Sequence, residues 1–163
     1  MPEEATGKTG VPSERRNKPE RPRDELGRPQ PWDAPNSLKL EDFDSLTLEE
    51  NHRLGLEHLR SSRYFPAHEA WETAWKQSRG TGDEELFKGL SQMGAGYVHL
   101  LRGNAHGAAT LLLRAAGRIG SYPDGHRELP TLRLAARLEA DAVRVESGEL
   151  VLGEAATLEP PTV

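Results

Sequence analysis

The residues able to do chemistry at helical spacing gather in one stretch, from Phe65 to Gly107. His68, Glu69 and Glu72 lead it, an imidazole and two carboxylates in His-Glu-x-x-Glu order. On a helix, His68 and Glu72 share a face at i, i+4. The order departs from the zincin signature, which needs a second histidine where Glu72 stands. Another metal set stays open. His99 from a facing helix would complete His68 and Glu72 into a two-histidine, one-carboxylate site suited to zinc or ferrous iron. Bundle di-iron sites use Glu-x-x-His pairs, and neither helix carries one.

A metal-free chemistry is also open. Two carboxylates and two imidazoles in a half-buried cleft can divide their pKa values and act as general acid and base, with Glu69, Glu72 and His68 as the catalytic candidates. No nucleophile joins them, because the chain has no cysteine and no serine sits in a recognisable elbow. The preferred reading is structural. His68, Glu69, Glu72, Gln92, His99 and Asn104 form a paired polar seam that fixes the register of two helical hairpins. Phe65 shares the His68 face, and Trp71 and Trp75 at i, i+4 are packing anchors. His52, His58, His106 and His126 read as ordinary surface or interface residues. A binding or scaffold module is then the expected function, with a metal-assisted, hydrolase-like enzyme using His68, Glu72 and His99 as the alternative. Nothing in the residues names a substrate, and a divalent metal is the one candidate cofactor.

Helices must position these groups. Thr47-Leu48-Glu49-Glu50 reads as a capping box that starts the first, with Leu48, His52, Gly55, Leu56 and Leu59 on one stripe to about Ser61. The Phe65-Pro66 step starts the second, since proline is favoured at the first helical position. Phe65, His68, Glu72 and Trp75 share its face, and Gly80-Thr81-Gly82 ends it. The third runs from about Asp83 to Arg102. Leu86, Leu90, Met93, Tyr97 and Leu100 form its apolar stripe, and Gly89, Gln92, Gly96 and His99 lie one step round. A helical glycine costs about 1 kcal/mol relative to alanine, so Gly89, Gly94 and Gly96 call for the close approach of another backbone. Gly103 suits a left-handed cap and Asn104 the N-cap of the fourth helix, giving a tight hairpin. The fifth runs from about Thr131 to Ser147, with Gly148 as its stop.

The expected fold is therefore all-α, about five helices in antiparallel, tetratricopeptide-like hairpins over residues 41–150. A shift of 41 residues lays Asn51 on Gln92, His58 on His99, Leu59 on Leu100 and Ala67 on Ala108, a faint sign of repeated hairpins.

Seven of the twelve prolines fall in the first 35 residues. Residues 1–40 hold few large apolar groups, so they read as a disordered Pro/Arg-rich tail, and residues 151–163 as a second tail. Within the first, Leu26 to Asp33 stands apart as a segment that docks in extended form through Trp32. Residues 41–163 carry 13 Lys/Arg against 19 Asp/Glu. That acidic balance argues against nucleic acid and leaves protein or peptide as the expected partner, with self-association open. Without cysteine there is no disulfide and no thiolate-held metal. No apolar run spans a bilayer and no secretory leader is expected, so the default location is the cytoplasm.

The pattern resembles domain-of-unknown-function family 309, small helical proteins. Its signature is carried by Phe65, Ala67, His68, Glu69, Glu72, Trp75, Gly89, Leu90, Gln92, His99, Arg102, Gly103, Asn104, Gly107 and Ala108, within residues 45–120. Residues 21–29 look like the N-terminal extension of actinobacterial members. Gly94 and Gly96 depart from the small apolar residues usual there. The resemblance implies an all-helical fold and no assigned activity.

Overall fold

The computed structural model describes residues 21–150 and 158–163. Helix α1 spans Leu48–Arg60, α2 Tyr64–Gln77, α3 Glu84–Leu101, α4 Ala105–Ile119 and α5 Thr131–Glu146. Each packs on the next in the chain, α1 on α2, α2 on α3, α3 on α4 and α4 on α5. Short turns between packed neighbours make every pair antiparallel, so the fold is all-α, built as stacked hairpins. Among the described residues no helix is long and apolar enough to cross a membrane.

Local chemistry sets the helix ends. The Thr47 hydroxyl accepts the Glu50 amide while the Glu50 carboxylate accepts the Thr47 amide, a complete capping box. Asn104 Oδ1 caps α4 through the Gly107 amide at 3.0 Å, and Gly103 before it takes φ 86°. Helix α2 begins two residues earlier than expected, so Pro66 is its third residue and not its first. That position costs nothing either, because the first four amides of a helix have no partner within it.

The core takes Leu59, Trp71, Leu86, Phe87, Leu90, Met93, Tyr97, Leu112, Ile119 and Leu138, all fully buried. Helix α2 turns Ala67, Ala70, Trp71 and Ala74 into it. The stripe of Phe65, His68, Glu72 and Trp75 is only half-buried, along the rim. The close packing demanded by the α3 glycines is present. A Cβ on Gly94 would stand 2.9 Å from the His68 backbone nitrogen, while Gly89 and Gly96 face α4. One charged group enters the interior. Asp141 is 1% exposed, accepting from the Tyr97 hydroxyl at 2.6 Å and Arg137 Nε at 2.8 Å. Burial, with Asp141 beside it, pushes the Tyr97 hydroxyl well above its usual range.

Both expected tails need correction where they are described. Residues 21–40 lie against the domain. Arg23 and Pro29 form an isolated bridge, and the turn between them seats Gly27 on the Phe65 ring. Only glycine serves there, with φ at +74° and a Cβ that would stand 2.5 Å from that ring. Arg102 donates to the Leu26 carbonyl. Trp32 is not the anchor, being 64% exposed. Among the described residues the Arg102 bond and the Gly27 contact hold the segment on the domain, which its low apolar content does not reveal. Similarly, Leu158 is buried, Arg60 donates to the Val163 carbonyl at 3.0 Å and Arg137 to that of Glu159 at 2.6 Å. The rest of each expected tail, residues 1–20 and 151–157, lies outside the described residues.

Candidate functional site

Helix α2 lies so close to α3 at Gly94 that the His68 ring reaches the neighbouring backbone. His68 Nδ1 stands 2.9 Å from the Ser91 carbonyl oxygen and 3.0 Å from the Ser91 hydroxyl. A carbonyl only accepts, so Nδ1 donates to it and Nε2 is the nitrogen left to face the cluster. That Nε2 points at two carboxylates, 3.6 Å from Glu72 Oε2 and 3.9 Å from Glu69 Oε1. One ligand atom from each of the three residues lies within 4.8 Å of the others. Burial pushes the Glu69 carboxyl up, with Glu72 adding to the effect and His68, Lys76 and Arg23 opposing it. Among the described residues neither carboxylate accepts a side-chain or backbone hydrogen bond; Glu72 has only Lys76 at 3.7 Å besides His68.

His99 does not join them, which corrects the expected His68, Glu72 and His99 set. Asn104 Oδ1 is committed to the Gly107 amide, so its Nδ2 faces His99 and donates to Nδ1 at 3.0 Å. The His99 proton therefore sits on Nε2, which cannot then ligate an ion. Burial lowers the His99 pKa, with Arg102 and His68 adding to it, and the ring serves as an acceptor in the α3–α4 turn. Glu69 takes its place in the cluster.

The expected polar seam is thus divided. His68 joins α2 to α3 through Ser91, and His99 joins Asn104 within one turn. Gln92 Oε1 and Trp75 Nε1 are buried with no hydrogen-bond partner among the described residues. Lys88 stands over the Trp75 ring at 5.3 Å. Two other histidines are not surface residues. His52 is 7% exposed and accepts the Trp71 indole N–H at 3.1 Å. His58 is 6% exposed, held between Arg63 and Glu41.

Beside the cluster opens a cleft of about 740 Å³, lined by Arg21, Arg23, Asn36, Leu38, Leu40, Phe65 and Glu69. Its far wall is the 21–40 segment. The Arg21 guanidinium donates to the Gln30 carbonyl at 2.6 Å and Arg23 to that of Gly27 at 2.7 Å. Each bond takes one N–H of a five-donor group, so both arginines keep donors and full charge at the cleft.

Residues 52–111 match the model of the family described as Domain of unknown function (DUF309). The chain carries a DUF309 domain. The match runs from α1 into α4 and so contains His68, Glu69, Glu72, Gln92, His99 and Asn104. No curated protein and no solved structure matches the chain. The cleft wall lies outside the DUF309 match, in residues 21–40. Sequence reasoning missed that wall and also Ser91, which acts on His68 through a backbone carbonyl that any residue supplies. A serine one turn before Gly94 carries no signal of that role.

Proposed function

We propose that this DUF309-domain protein is a binding module whose occupant lies in the cleft between residues 21–40 and α2. The cleft carries the reading. Its arginines offer planar, multiply donating cations suited to a carboxylate, and Leu38, Leu40 and Phe65 offer an apolar surface beside them. The occupant that suits both is an extended peptide with an acidic group next to an apolar side chain. Residues 21–40 then work as part of the binding unit and not as a tail. The same reading keeps a protein or peptide partner and a cytoplasmic setting.

A displayed library of random peptides, panned on the full chain, tests this. Enriched sequences should pair an acidic with an apolar residue and lose binding to Arg23→Glu and to Phe65→Ala. No enrichment, or peptides indifferent to both substitutions, would remove the cleft as the binding surface.

A further inference from the structure

We infer that His68, Glu69 and Glu72 hold one divalent first-row transition-metal ion, through His68 Nε2 and one oxygen of each carboxylate. Side-chain geometry alone carries this, so it stands whether or not a peptide fills the cleft. Two acidic residues on one helix turn would not suffice, since exposed carboxylates cluster often. The deciding observation is the orientation of the ring between them. Of the histidines hydrogen-bonded to described residues, His52, His58 and His99 each accept at Nδ1, and His126 presents Nε2 to Asp83 at 2.6 Å. Those four carry the proton on Nε2. His68 alone donates from Nδ1, to a backbone carbonyl on another helix, which is how metal-binding histidines are commonly fixed.

The outcome is a ring fixed by a second helix with its free nitrogen aimed at two carboxylates, a ready set of three ligand atoms for a cation. Spacing agrees. Ligand atoms around one ion at 2.0–2.2 Å lie no more than about 4.4 Å apart, and small carboxylate rotations bring a spread of 4.8 Å into that range. Imidazole with two carboxylates suits zinc, ferrous iron or manganese better than magnesium or calcium. Three protein ligands leave coordination positions open, and because Glu69 also lines the cleft, those positions face it.

Isothermal titration of Zn²⁺ into the tag-free full chain tests the site, beside Glu69→Gln, Glu72→Gln and His99→Gln. Glutamine keeps the shape of glutamate, and circular dichroism checks that each variant folds. The wild type should take up one ion per chain. Affinity should fall at least about tenfold in each glutamate variant and stay unchanged in His99→Gln. No uptake by the folded wild type, or uptake retained by both glutamate variants, would overturn the inference and leave Nε2 in a plain ion pair. Loss in His99→Gln alone would place the ion elsewhere and overturn it as well. Peptide binding that survives while zinc binding fails would separate this site from the cleft reading.

Discussion

Two histidines held by α2 show how the same side chain serves packing in one place and a site in another. His52, on α1, meets the Trp71 indole on the α2 face turned to the core. Its ring also stands edge-on to Phe87, with centroids 5.4 Å apart. His68 lies on the rim of α2, where one nitrogen is tied to α3 and the other faces carboxylates beside an open cleft. At His52 the protein supplies a neutral partner for a neutral ring. At His68 it supplies two anions and lets solvent in, with the side chain 24% exposed. Burial by itself separates the two poorly. What separates them is which ring nitrogen is committed and what the other one sees.

Acid should break the comparison most strongly, at His52. Burial, with Arg127 adding to it and Glu49 and Asp83 opposing, lowers the His52 pKa from 6.5 to about 4. Between those values the unfolded chain binds a proton that the folded chain refuses, so stability falls as pH drops and the loss levels off below the folded value. The deficit by pH 4 is about 3 kcal/mol at 1.36 kcal/mol per unit. Urea unfolding at pH 7 and pH 4 should show that loss in the wild type and should show it reduced by this amount in His52→Gln. Equal losses in both proteins would mean that His52 is not the buried neutral group described.

Gly94→Ala should break the other side. The added methyl meets the His68 backbone, where no side chain can swing away, and overpacking of this kind costs about 1–3 kcal/mol. The same shift draws His68 from Ser91, so zinc affinity should fall with stability. A variant as stable as the wild type would show that α2 and α3 do not meet this closely.

Glu69→Gln has the smallest expected effect and sharpens the contrast. Removing a half-buried carboxylate beside Glu72 should leave stability unchanged or raise it by under about 1 kcal/mol. A clear loss of stability would instead make Glu69 a structural member of the seam.

The helices were legible because their signals are local. Thr47 with Glu50, Gly103 with Asn104, and Gly148 each act within a few residues, so spacing alone reveals them. The faces of α2 were not. Ala67, Ala70, Trp71 and Ala74 repeat with the same period as Phe65, His68, Glu72 and Trp75, and periodicity cannot say which set meets the core. The burial of His52 and His58 depends on Trp71 and Glu41, each 17 or more residues away in sequence. The exchange of His99 for Glu69 in the cluster turns on Asn104, whose oxygen is fixed by capping and whose nitrogen then dictates the His99 tautomer. Residues 21–40 settle on the domain through the Arg102 bond to the Leu26 carbonyl and the seat of Gly27 on Phe65, which no hydropathy pattern records.

The central claim is that α2 holds one histidine for the core and presents another to a site. Long-range ¹⁵N–¹H spectra of the imidazole nitrogens in the full chain test it most directly. His52 should carry its proton on Nε2 and His68 on Nδ1, and added Zn²⁺ should shift the His68 Nε2 signal while leaving His52 unmoved. The same tautomer at both rings, or a zinc response confined to other histidines, would contradict the account.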